Sequence, residues 1–161
     1  MTSYLHSITS ISTDTLILIV LVAIVFVAAL KLGRGHLISG ILSIYIASFL
    51  YTNVFFVKTL TLATGTSANL FWNHLAIFAI FLIPIHFVSQ KWIHSDFRRG
   101  ATGLIQMGLL SVAAAGLLVS IFYHVIPLTP VYNFSPAIDK IFSTDTDFAI
   151  WLLAPLVLLF F

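Results

Sequence analysis

Histidine is the side chain with the widest chemical range in this sequence. The 161 residues include six histidines, compared with five acidic residues. His74, His86 and His124 fall in or beside long apolar stretches. Ionisable groups inside a membrane are rare and often relay protons or bind ions, so these three residues form a candidate polar pathway.

A structural interpretation of the same histidines competes with that pathway, and we favour it. Most of them lie within a turn or two of the end of an apolar stretch, where an imidazole reaches water or a lipid headgroup. His74 and His86 are 12 residues apart, which separates them by about 120° around a helix. The sequence lacks three ligands with the spacing of a metal site, so we predict no metal ion and no cofactor.

Other motifs that carry chemistry are also missing from the sequence. There is no phosphate-binding loop and no HExxH pair. The isolated Gly33-Arg34-Gly35 segment is too short to count as a glycine-rich motif. The lack of cysteine excludes disulfides, thiolate metal sites and cysteine nucleophiles. The seven Lys and Arg residues do not form the clustered basic face of a nucleic-acid-binding protein. We therefore predict no enzymatic activity, no catalytic residue and no nucleic-acid partner.

The composition indicates where the chain resides. Hydrophobic residues make up 60% of it and charged residues only 7%, and the mean hydropathy is +1.12. A water-soluble globule of this size needs far more polar surface, so lipid must be the solvent. The sequence predicts an all-α polytopic transmembrane helix bundle that forms a single membrane domain over residues 1–161.

Four apolar stretches are long enough to cross roughly 30 Å of hydrocarbon at about 1.5 Å per helical residue. We predict these four spans at residues 15–32, 37–57, 70–90 and 101–126. A tight turn with glycines joins the first two spans, and Pro84 is expected to kink the third. A short C-terminal apolar helix at 148–161 follows. Its 14 residues fit a short span, a re-entrant helix or an interfacial helix.

The basic residues predict the orientation of the bundle. Five of the seven lie in two segments, the turn after the first span and the connection between the third and fourth; they are Lys31, Arg34, Lys91, Arg98 and Arg99. Basic loops face the cytoplasm in most membrane proteins. We therefore predict a multi-pass protein of the cell membrane with its N-terminus outside and both basic loops in the cytoplasm.

Small residues recur on two of the predicted spans. They are Ser39, Ser43 and Ala47 on the second, and Gly108, Ser111, Ala115, Gly116 and Ser120 on the fourth. Such stripes let helix backbones approach closely in lipid, so we predict that these residues serve helix packing; a pore or ligand surface is the alternative. We expect the stripes of spans two and four to face each other; the alternative is that one stripe is an oligomer interface and the other is internal. Span one consists almost entirely of Leu, Ile, Val and Ala, so it should be the most lipid-exposed of the four.

Single polar residues near the spans receive structural interpretations. Asp14, directly before the first span, is predicted to cap its helix. Asn53, Asn73 and Gln106 are expected to form hydrogen bonds between helices.

Several of these features together resemble the colicin V production protein family. They are the acidic Asp14 before the first span, the Gly33-Arg34-Gly35 turn into a small-residue span, and the basic, glycine-containing entry at Arg98 to Gly103. The resemblance covers about residues 14–126, whereas the 127–147 segment and the final helix depart from it. It implies a small four-span inner-membrane protein that is needed for export of a peptide toxin and is associated with envelope maintenance, and it supplies no catalytic residues.

The leading functional hypothesis is a non-enzymatic integral membrane protein that acts as a helix-packing component of a membrane assembly, of envelope maintenance or of export. Its expected partners are the lipid bilayer and other membrane proteins or copies of itself. The alternative is a small channel or transporter that uses the histidine-containing polar pathway.

Overall fold

The computed structural model describes residues 2–54, 57, 67–93, 101–126, 132 and 134–160. In that part of the chain all regular secondary structure is helical, which confirms the predicted all-α class. The helices are α1 (Thr2–Leu32), α2 (Arg34–Asn53), α3 (Ser67–Trp92), α4 (Ala101–His124), α5 (Pro136–Phe142) and α6 (Asp145–Leu159).

Four of the described helices have the length and apolar composition of membrane spans. The qualifying stretches are Thr13–Leu32, Arg34–Asn53, Leu70–Trp92 and Gly103–His124. α5 and α6 together also pass this test, with a bend of 65° between them. The chain is therefore a multi-pass membrane protein with four candidate spans, or five if the bent pair forms one span.

A single residue, Gly33, makes the turn between α1 and α2. Its φ is +92°, a conformation that a side chain strongly disfavours. The Gly33 N–H donates to the carbonyl of Ala29 at 2.9 Å and its own carbonyl accepts from Leu37 at 3.4 Å. The predicted tight hairpin is confirmed, and α2 starts at Arg34 because one glycine suffices for the reversal.

The predicted helix cap at Asp14 is wrong, because α1 begins at Thr2 and passes through this residue. No Gly or Pro occurs between residues 2 and 14 to stop a helix. The Asp14 side chain is 1% exposed and bonds to a distant part of the chain instead of to its own helix terminus.

The helices pair differently from the prediction that spans two and four meet through their small faces. α2 packs chiefly against α3, whereas α4 packs chiefly against α6 and α1, and the contact between α2 and α4 is smaller. The reason is that large side chains occupy the small positions of α4: Gly108 lies beside Phe26 of α1, and Gly116 lies beside Trp151 of α6.

The core centres on α4. Of its most apolar 18 residues 61% are buried, compared with 6% in α1. Ile41, Ala47, Met107 and Leu117 are among the fully buried side chains of the main cluster. The expectation that span one is the most exposed of the four is confirmed.

The C-terminal helices begin at recognisable signals. Pro136 follows the N-cap Ser135 at the start of α5, a position where its missing N–H costs nothing. Thr144 caps α6 by accepting from the Asp147 N–H at 3.2 Å, and acidic residues in this first turn suit the helix dipole. α6 therefore starts three residues before the predicted 148, and the predicted 127–147 connection contains α5.

The polar residues that were expected to link helices behave in two ways. Arg34 Nη1 donates to Gln106 Oε1 at 3.4 Å, which joins α2 to α4 as predicted for Gln106. The Asn53 amide instead donates to Phe49 O of its own helix at 2.8 Å. Asn53 lies at the exposed last position of α2, where its short side chain reaches back to the carbonyl one turn earlier on its own helix.

Candidate functional site

His74 contacts α2 near the C-terminal end of that helix. Its Nδ1 shares a hydrogen bond with the Tyr51 hydroxyl, and the two ring centroids are 6.0 Å apart. Tyr51 itself is buried. The pair thus gives two half-polar side chains a partner inside an apolar interface, where an unpaired hydroxyl is unfavourable.

His86 contacts α2 towards the opposite end of the same interface. Its backbone carbonyl accepts from Ser39 Oγ at 3.4 Å, and its ring lies beside Gly40. Gln90 Nε2 lies 2.5 Å from His86 Nε2. The two side chains share a hydrogen bond whose direction depends on the tautomer of the imidazole.

His124 lies elsewhere, in the contact between α4 and α6. Its ring stacks on Phe148 with centroids 4.5 Å apart, and its Nδ1 lies 3.1 Å from the Ser120 carbonyl. His74, His86 and His124 therefore have different partners in the described contacts. Within the described residues, no group of three or more His, Asp or Glu side chains could hold a metal ion.

A groove of about 260 Å³ lies among α1, α2, α3 and α4. His36, in the first turn of α2, and His86 line it, and the rest of its wall is apolar. Sequence reasoning missed the meeting of these two histidines, because His36 is remote from His86 in the chain. The available signal was that each lies near one of the two basic segments, which are predicted on the same side of the membrane.

Asp14 fastens α1 to the segment that precedes α5. It accepts hydrogen bonds from the Tyr132 hydroxyl and, at 2.6 Å, from the Ser135 N–H. The hydrogen bond to this carboxylate raises the pKa of the Tyr132 phenol above its ordinary value. Both Asp14 oxygens are engaged, so the residue serves as an anchor for the return segment and not as a free base.

An aromatic cluster surrounds the same end of the bundle. Tyr123 donates to Asp139 Oδ1 at 2.6 Å and stacks on Phe142 at 6.1 Å. Phe142 in turn stacks on Trp151 at 5.1 Å, and the Trp151 indole donates to Ile141 O at 3.2 Å. These contacts hold α4, α5 and α6 together, and the polar atoms of Tyr123 and Trp151 both have hydrogen-bond partners.

The small residues on the two stripes lie mostly inside the bundle. Those that are at most 2% exposed are Ser39, Ser43, Ala47, Ser111, Ala115 and Ser120. Ser43 donates to Ser39 O at 2.6 Å and Ser111 donates to Met107 O at 2.7 Å. Gly116 is buried, whereas Gly108 is half-buried beside Phe26. The two serine hydroxyls thus bond to their own helices.

Comparison of the chain with protein-family models, curated proteins and solved structures gives no match. The resemblance to the colicin V production family stays a prediction.

Proposed function

We propose that this protein is a non-enzymatic membrane component that acts by packing against other membrane proteins or copies of itself. The observation that carries the proposal is the use of polar side chains in the described bundle. They join one element to another, in the pairs Arg34 with Gln106, Tyr45 with Leu152, Tyr51 with His74, and Asp14 with Tyr132.

Because these polar side chains form hydrogen bonds within the bundle, they support a structural role over an active centre. Outward, α1 and α3 offer large apolar side chains such as Leu16, Ile19, Ile80 and Phe87, each at least 60% exposed. A partner helix in the membrane would meet these faces. The alternative channel or transporter draws less support, because its three histidines engage different neighbours.

The resemblance to the colicin V production family supports a more specific role for the proposed scaffold. We infer a role in a membrane assembly for export or for maintenance of the envelope. In that role the basic turns face the cytoplasm and the N-terminus and the α5 segment face outwards.

Photo-crosslinking in native membranes tests the packing proposal. A photoreactive phenylalanine at Ile19, which is 62% exposed, is expected to give adducts of protein size. The matched control is Phe26 on the same helix, which faces Gly108 of its own chain and should give intramolecular products. Lipid adducts alone from Ile19 and from Ile80 of α3, together with a monodisperse monomer in mild detergent, would refute the proposal.

Cysteine labelling tests the orientation, and the lack of native cysteine makes each variant unique. Gly35→Cys and Ser95→Cys, one in each basic segment, should react with a membrane-impermeant maleimide only after permeabilisation. Ser95 lies outside the described residues. Ala137→Cys, on the exposed side of α5, should react in intact cells. Labelling of Gly35→Cys and Ser95→Cys from outside would overturn the orientation.

A further inference from the structure

The groove lined by His36 and His86 runs along the helices for most of one membrane leaflet. Its α1 wall extends from Ile24 to Leu32 and its α2 wall from His36 to Ile44. Each stretch covers about 12 Å of helix at 1.5 Å per residue. One leaflet contributes about 15 Å of a 30 Å hydrocarbon layer.

The groove is open along its α1 edge. Ile41 and Ala29 in its wall are at most 2% exposed, whereas Ile24 and Leu32 at its α1 edge are 60% and 58% exposed. A flexible apolar chain could therefore enter sideways from the membrane. Its volume of about 260 Å³ lies just below the roughly 300 Å³ at which pockets for whole small ligands begin, which suits a segment of one acyl chain.

The charges around the histidine end favour an anionic headgroup. Lys31 and Arg34 flank the turn between α1 and α2, and Lys91 lies in the last turn of α3. The described acidic residues belong to the opposite end of the bundle; Asp96, in the 94–100 connection, lies outside the described residues. Basic pockets of this kind between membrane helices bind anionic lipid headgroups.

The imidazoles suit the boundary between headgroup and chain. The rings of His36 and His86 each carry at least one N–H donor in either protonation state. A phosphate oxygen is the matching acceptor. The rest of the groove wall is apolar, which suits an acyl chain.

We propose that this groove binds one acyl chain of an anionic phospholipid from the leaflet that contains the α1–α2 turn, with the lipid phosphate at His36 and His86. The lipid is a ligand of the folded bundle. This inference goes beyond the proposed packing role and does not depend on it.

The test uses the full chain in nanodiscs that contain phosphatidylglycerol or phosphatidylcholine, each with a diazirine in one acyl chain. We expect the phosphatidylglycerol probe to label wild-type protein about fivefold more than the phosphatidylcholine probe. One nearby Lys or Arg raises the affinity for an anionic headgroup by about that factor. Peptide mapping should place the label on the groove walls. Equal labelling by the two probes would overturn the proposal.

Two variants separate the chain site from the headgroup site. Ala28→Phe fills the groove from its exposed α1 edge and should abolish the mapped label, whereas Ala23→Phe, which lies on the same helix beside a different groove, should retain it. The double variant His36→Ala/His86→Ala should bring phosphatidylglycerol labelling down to the phosphatidylcholine level.

Retention of the mapped label in Ala28→Phe would overturn the site, and an unchanged lipid preference in the double variant would overturn the role of the imidazoles. If an unlabelled fatty acid at equal concentration abolished labelling by the phosphatidylglycerol probe, the occupant would be a free fatty acid. That result would overturn the phospholipid assignment. None of these results bears on protein partners of α1, so the packing proposal stands or falls separately.

Discussion

Alanine at Gly116 is expected to destabilise the bundle by about 1–3 kcal/mol, the usual cost of an overpacked core. A Cβ atom at this position would overlap the Trp151 ring. That ring has little freedom to move away, because it stacks on Phe142 and its indole donates to Ile141 O. α6 must therefore shift from α4. Thermal unfolding in detergent, followed by tryptophan fluorescence, measures the loss.

The matched control for Gly116→Ala is Gly108→Ala, two turns earlier on the same helix. A Cβ there meets Phe26 at 3.9 Å, which is ordinary contact. Since alanine is favoured over glycine inside a helix by about 0.5–1 kcal/mol, this variant should be as stable as wild type or more so. Equal stability of the two variants would show that Trp151 does not pack on Gly116.

Replacing Asp14 with asparagine is expected to cost about 1.5–3 kcal/mol, the range for hydrogen bonds to a charged group. Asp14 is buried and accepts from both the Tyr132 hydroxyl and the Ser135 N–H. An amide has one acceptor oxygen and one donor nitrogen, so one of the two donors would face another donor. α5 should then separate from α1, and a cysteine at Ile138, which is buried in the wild-type protein, should be labelled faster than in the Asp14 background.

Asp145→Asn is the control for the aspartate anchor, because Asp145 is exposed in the first turn of α6. We expect a change of no more than about 0.5 kcal/mol there, as is usual for surface substitutions. Tyr132→Phe removes one of the two donors and should fall between the two aspartate variants. If Asp14→Asn unfolded at the wild-type temperature, the anchor would contribute nothing to stability.

The number of spans and the first turn were predictable from the sequence because both depend on local properties. A helix crosses the membrane when roughly 20 successive residues are apolar, and a glycine is needed where φ is positive, as at Gly33. The C-terminal helix was also predictable in outline. Its start at Asp145 and not at 148 follows from the Thr144 cap, a signal that was present but unused.

The choice of helix partners was not predictable in the same way. A small-residue stripe indicates that something approaches closely, but it does not identify the neighbour. At Gly116 the neighbour is the large Trp151 of α6, because a glycine can receive a ring as readily as another backbone. The predicted pairing of spans two and four considered only contacts between small residues.

The partners of Asp14, His36 and His86 were not predictable for a related reason, namely their distance along the chain. Asp14 bonds to Ser135, 121 residues away, so its local sequence indicated a helix cap. His36 and His86 meet in one groove only because α2 packs on α3. Residue types predicted that these side chains need partners, whereas the partners themselves depend on tertiary packing.

Extraction of the protein from its own membrane into polymer-bounded nanodiscs without detergent, followed by mass measurement, tests the packing role most directly. We expect particles that contain this chain together with a second protein chain, either a copy of itself or a different membrane protein. Replacing exposed Leu16 and Ile19 on α1 with serine should weaken that association while the monomer stays folded. Particles that hold one copy of this chain and lipid alone would contradict the packing role.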